Sequence, residues 1–156
     1  MSFLGVPMPQ WTKALEMRIP GPPFGKQRPK FGGRRVYTPA ATVKEELRIK
    51  ELAREMLAAS DSRPISGPLR VVLTLWYPIP ASMSKKRRQD ALNGLLLPEV
   101  KPDVDNVSKL FLDACNAILY ADDKSVCSLT VEKFYGEDPG IDATLYTRET
   151  HGPRTQ

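Results

Sequence analysis

Apolar and polar residues alternate strictly from Ala14 to Ile19, with Leu15, Met17 and Ile19 on one side and Glu16 and Arg18 on the other. A period of two marks a half-buried strand. The same alternation returns at Leu69–Tyr77, through Leu69, Val71, Leu73, Leu75 and Tyr77, and is closed by Pro78 and Pro80. Between the two, Thr42–Ala59 interleaves charges with Val43, Leu47, Leu52 and Met56, the spacing of an amphipathic helix. Ser60–Pro68 reads as a linker. Ser84–Asn93 predicts a short helix stopped by Gly94. Val104–Leu119 predicts a long helix whose core face gathers Val107, Leu110, Phe111, Ala114 and Ile118. Val126–Tyr135 and Ile141–Thr147 read as strands, and the turn-rich spacer Gly136–Gly140 fits a hairpin between them. Residues 1–12 and 149–156 are expected to be loosely held ends. The order β-α-β-α-α-β-β, without internal repeats, predicts one α/β (α+β) domain with a small mixed sheet spanning residues 1–156.

Length and composition agree with this picture. A chain of 156 residues suits one core, and 41% hydrophobic content is ordinary for a globular protein. No apolar run approaches the ~20 residues of a membrane span, and the start MSFLGVPMPQW lacks the features of a secretory signal. The expectation is a cytoplasmic protein with no membrane partner. Cys115 and Cys127 fall in a helix and a strand without metal-ligand spacing, and read as small buried side chains in a reducing compartment. The one histidine, His151, sits in the polar tail, which argues against a zinc site or a histidine base. Hydrolytic chemistry is left to carboxylates, lysines or hydroxyls.

Charge alters the picture more. The net charge is +5 and the pI about 9.3, which favours a polyanionic partner. Pro20–Val43 carries Lys26, Arg28, Lys30, Arg34 and Arg35 without a single acid. This stretch, from Phe24 to Val36, holds the Gly32-Gly33 turn and reads as a mobile loop or ribbon. A second cluster, Lys85-Lys86-Arg87-Arg88, opens the short helix, the end where the helix dipole disfavours cations. A solvated face would account for such a run, but its misplacement points to phosphate contact. The acids concentrate in Glu99–Asp123. Cations around a compact acidic site are what a metal-dependent nuclease requires.

Within that acidic stretch, Pro102 punctuates the chain, so Asp103 and Asp105 stand at the start of the long helix. Residues two apart in extended chain point the same way, which lets both carboxylates approach one cation. Further along, Asp105, Lys109 and Asp113 form a stripe four residues apart, with Asn106 and Asn116 beside it. One aspartate capping the helix and Lys109 in surface pairs would be the plainer account, but capping needs only one aspartate. A calcium loop does not fit, because Val107, Ser108 and Ala114 occupy positions that the loop gives to other residues. Asp122-Asp123 follows the helix and is a candidate source of the remaining ligand.

The run Pro102-Asp103-Val104-Asp105-Asn106-x-x-Lys109-x-x-x-Asp113, then Asp122-Asp123, resembles the signature of RusA-type crossover-junction endonucleases. Pro23-Phe24-Gly25-Lys26-Gln27-Arg28-Pro29 with Tyr37-Thr38-Pro39 resembles the N-terminal portion of phage and Gram-positive members, as does the Lys/Arg run after the central strand. The resemblance extends from about residue 17 to 147. It implies that Asp103, Asp105 and Asp123 bind Mg²⁺ (with Mn²⁺ able to substitute), and that Lys109 assists at the scissile phosphate. Asn106, Asp113 and Asp122 would support the site. It also implies a homodimer that cuts four-way DNA junctions by paired nicks in recombination and repair, with no small-molecule cofactor. The extension at Met1–Trp11 and the segment Ser82–Val100 depart from the family pattern and bear on substrate choice.

A helix from Asp105 to Leu119 would span about 22 Å, and three residues cannot bring Asp123 back to its start. The site is therefore expected to be composite: Asp103 and Asp105 of one chain meet Asp123 of the two-fold mate. Leu112 and Leu119 are the candidate contacts, and a break in the helix is the alternative. Two other readings stay open: a nuclease for different branched or flapped DNA, and a non-catalytic structure-specific DNA-binding protein. A nucleotide-sugar transferase using its D-x-D is a third, but it would leave the basic clusters unexplained.

Overall fold

The computed structural model describes residues 10–148. The elements are β1 (Thr12–Pro20), β2 (Lys30–Gly32), β3 (Arg35–Tyr37), α1 (Ala40–Ala59), β4 (Leu69–Pro78), α2 (Lys85–Leu92), α3 (Val104–Cys115), β5 (Val126–Gly136) and β6 (Gly140–Thr147). A single 3₁₀ turn, Asp123–Ser125, leads into β5. The expected α/β class with a small mixed sheet is what forms. The loose ends expected at the termini lie mostly outside the described residues, as does His151, although Thr12 already belongs to β1.

The main sheet has the order β1-β6-β4-β5. β4 runs parallel to β5 and antiparallel to β6, and β6 is antiparallel to β1. The expected hairpin between the last two strands is therefore absent, because β4 lies between them. Adjacent strands lie ~4.8 Å apart, so stepping over one strand needs ~10 Å, within reach of the residues Glu137–Pro139. Gly140 receives the chain where a Cβ would stand 2.8 Å from the Ile19 carbonyl. The alternation sets which face is inward: Leu69, Val71, Leu73, Leu75 and Tyr77 of β4 are buried with Leu15, Met17 and Ile19 of β1 and Ile141, Ala143 and Leu145 of β6.

Val107, Leu110, Phe111 and Ala114 of α3 join that core as expected, with Ile118 only partly buried. α1 is rotated from the expected face. Thr42, Ile49 and Ala53 are its buried residues, whereas Val43 and Leu47 are exposed. Thr42 is buried because its hydroxyl accepts the Gln27 N–H, a bond that fixes the loop before β2. α2 starts at an N-cap, Ser84, whose Oγ accepts the Arg87 N–H, and stops at Gly94 with φ +76°. The two cysteines part company: Cys115 is buried and Cys127 exposed, since β5 is an edge strand.

α3 ends at Cys115, one turn short of the expected Leu119. Asn116 turns to ψ 134° and Ala117 adopts φ +63°, which breaks the helical path. Tyr120 folds back beneath the helix, and its hydroxyl donates to the Leu112 carbonyl at 2.7 Å, satisfying an end that would otherwise lack a partner. Leu119 is thereby fully buried in the chain's own core and cannot reach a second copy. Leu112 is partly buried against the same core.

Candidate active site

The segment before α3 is held by the carboxyl ends of the two parallel strands. The Tyr77 hydroxyl at the end of β4 donates to the Pro102 carbonyl at 2.5 Å. Lys133 of β5 donates to the Val100 carbonyl at 2.6 Å and stands 5.0 Å above the Tyr77 ring. Burial, and then the charge of Asp103, push the Tyr77 hydroxyl up to about 12, so it stays a neutral donor. The carboxyl ends of parallel strands are where open α/β sheets seat their ligands. The sequence pattern singles out neither Tyr77 nor Lys133 for this role, because alternation marks Tyr77 only as core.

Asp103 takes the N-cap position of α3, with φ −74° and ψ 152°, yet its side chain makes no capping bond. Asp105 lies in the first turn. Both are exposed and, among the described residues, neither carboxylate has an ion-pair partner. The helix N-terminus favours negative charge there, while the oxygens remain free. Simple capping accounts for the position of Asp103 but not for its unused oxygens.

A cleft of about 620 Å³ opens beside Asp103 and Asn106, walled by Lys26, Arg28, Lys30 and Lys101. Its far wall is pinned to α3. The Lys26 N–H donates to the Asn106 carbonyl at 3.0 Å, and a Cβ on Gly25 would stand 2.7 Å from the Pro102 Cβ. The Lys26 ammonium is bound to the Asp113 carboxylate. The basic stretch expected to be a mobile loop is therefore anchored at residues 25–27, and only the β2–β3 hairpin projects from it. Lys101, unremarked in the sequence beside the aspartates, belongs to this wall.

Asp105, Lys109 and Asp113 run along α3 as expected, about 12 Å from first to last. Lys109 is exposed and unpaired among the described residues, whereas Asp113 is half-buried against Lys26. The turn that ends α3 brings Asp123 back beside the helix, but only as far as Asp113. A hydrogen bond with Asp122, then burial and the charges of Asp122 and Asp113, hold the Asp123 carboxyl above its ordinary range. Asp122 is held low, first by the Lys124 N–H at 3.0 Å and then by the bond with Asp123. Among the described residues no three acidic, cysteine or histidine side chains come together as a metal site. One chain thus offers two separate groups of oxygen donors, Asp103 with Asp105 and Asp122 with Asp123. Hard carboxylate oxygens suit Mg²⁺, but each group alone is half a site.

Of the remaining cations, Arg88 reaches Glu137 at 3.5 Å, while Lys85, Lys86 and Arg87 on the first turn of α2 have no such partner among the described residues. Val100 and Val104, close to Asp103 and Asp105 along the chain, have exposed side chains, as do Leu95 and Leu97.

Comparison with known proteins agrees with these features. A protein of Bacillus subtilis (strain 168) described as uncharacterized, YqaN, is 43% identical over 94 residues, covering 57% of this chain and 66% of that protein. Residues 20–146 match the family described as Endodeoxyribonuclease RusA, a span that includes the cleft, both groups of aspartates and the hairpin. The chain belongs to the RusA endodeoxyribonuclease family.

Proposed function

We propose that the protein is a Mg²⁺-dependent endonuclease that resolves four-way DNA junctions by paired nicks, acting as a homodimer. The observation that carries this reading is the pair of exposed, unpartnered carboxylates, Asp103 and Asp105, beside a cleft walled by cations. Such a cleft takes a phosphodiester backbone. Asp103 and Asp105 would hold the divalent ion, completed by Asp123 and supported by Asp122. When bound, such an ion lowers the pKa of a water and neutralises phosphate charge.

The chain's own groups do the rest. Arg28, Lys30 and Lys101 seat the phosphates in the cleft. Lys109, one turn from Asp105, places an ammonium where charge develops on the scissile phosphate. Asn106 fixes the basic wall through its carbonyl, and Asp113 keeps Lys26 on that wall. Tyr77 and Lys133 hold the Val100–Pro102 segment, and so the direction from which Asp103 approaches. Separation of the two aspartate groups supports a site shared between chains, with Asp123 supplied by the mate. The exposed apolar residues beside Asp103 and Asp105 supply a contact surface in place of Leu119.

Incubation with a synthetic four-way junction and matched linear duplex, with and without Mg²⁺, tests this reading. Paired nicks are expected on the junction alone, with metal alone, and not with Asp105→Asn. Binding without cutting under every condition would overturn it.

A further inference from the structure

The β2–β3 hairpin carries an apolar surface that its own fold does not use. Phe31 is 84% exposed, and Val36, directly across the hairpin, is 61% exposed. Cross-strand partners share a face, so these two side chains form one surface. Lys30, Arg35 and Tyr37 occupy the other face. A phenylalanine is ordinarily a core residue, and three-residue strands are too short to need it for pairing.

Charge identifies what would cover it. Arg28, Lys30, Arg34 and Arg35 lie on the hairpin and the chain leading into it, Lys30 and Arg35 on the face opposite the pair. None of the four has a carboxylate within ion-pair distance among the described residues. A second copy of this hairpin would set cation against cation. The partner that suits a flat ring on a hairpin rich in unpaired cations is a polyanion with exposed π faces, that is, a nucleic acid with unstacked bases. Intact duplex stacks both faces of its base pairs, whereas the pairs at an opened branch point each leave one face unstacked. Pro29 and Lys30 line the same cleft as Asp103 and lead straight into β2, so a base held at Phe31 would lie one short step of chain from that cleft.

We propose that Phe31, backed by Val36, stacks on a base freed at a DNA branch point, and that this contact confers preference for branched over linear DNA. The inference rests on the nuclease reading above and adds to it the element that recognises the branch.

The test uses the full chain without divalent metal and a four-way junction carrying 5-iodouracil either at the branch or within an arm. Irradiation is expected to cross-link the branch-point base to the peptide Phe31–Arg34, and the arm base not at all. Phe31→Ala, at an exposed site that leaves folding intact, is expected to lose the cross-link. It should bind the junction about tenfold more weakly, with linear duplex changed less than twofold. Phe31→Trp should restore junction binding. Cross-links that map elsewhere, or junction binding by Phe31→Ala equal to that of the unaltered chain, would overturn the stacking role and leave the nuclease reading standing. Equal affinity of the unaltered chain for junction and duplex would overturn the branch preference proposed here, whereas the nuclease reading falls only if the junction is not cut with Mg²⁺.

Discussion

A single hydroxyl couples the sheet to the candidate site. Tyr77 donates to the Pro102 carbonyl, one residue before Asp103. A buried hydrogen bond of this kind contributes about 1 kcal/mol, so Tyr77→Phe is expected to lower the unfolding free energy in urea by about that amount. Because the bond positions Asp103, nicking should slow while affinity for linear duplex holds. The pH dependence gives an independent readout. Tyr77 titrates near 10 in the unfolded chain and at about 12 in the fold. Its contribution is therefore complete below pH 10 and is lost as pH climbs towards about 12. The stability gap between wild type and Tyr77→Phe should narrow over that interval. A gap that stays constant would mean that the hydroxyl titrates alike in the folded and unfolded chain.

At the scale of elements, α2 sets stability against binding. Lys85, Lys86 and Arg87 occupy its first turn, where the helix dipole opposes them and no acid stands beside them in that turn. Replacing all three by Gln should stabilise the protein by a few tenths of a kcal/mol per residue and weaken DNA binding. The slope of log affinity against log salt should fall by about 0.9 for each phosphate that the variant no longer neutralises. Unchanged affinity would return the run to a solvated face. The elements themselves were largely readable, since β1, β4 and the core face of α3 follow from periods of 2 and 3.6. What stayed hidden was decided by distant parts of the chain. Leu119 keeps the apolar rhythm of α3 and ends in the core, yet it is a turn residue, because Tyr120 caps the helix from below. The pairing of β6 with β4 instead of β5 depends on which strand takes the centre of the sheet, and local pattern carries no trace of that. β2 and β3 bury nothing, so their pairing left no apolar signature beyond the Gly32-Gly33 turn. Of the site, the aspartates and Lys109 were legible as a motif, while Tyr77, Lys101 and Lys133 were not, since their roles depend on backbone carbonyls and a cleft.

At the scale of the whole molecule, the proposed site joins two aspartate groups that α3 keeps apart. Asp103 and Asp105 stand at its start, and Asp122 and Asp123 beside its far half. If each site draws Asp103 and Asp105 from one chain and Asp123 from the mate, a chain with Asp103→Asn and a chain with Asp123→Asn fail in complementary ways. Each homodimer of a single variant has two crippled sites. A mixed dimer has one site with both substitutions and one with neither. Mixing the two inactive proteins under conditions that exchange subunits should therefore restore cutting, but only one cut per junction. The products should run on native gels as singly nicked junctions, not as the linear duplexes that paired cuts release. Sites complete within one chain would give no recovery, because every chain in the mixture carries a lesion. Recovery of paired nicks would fit neither arrangement. On that arrangement cutting depends on assembly, so if the exposed Val100 beside the aspartates lies in the contact, Val100→Glu should lose nicking and run as a folded monomer on size exclusion.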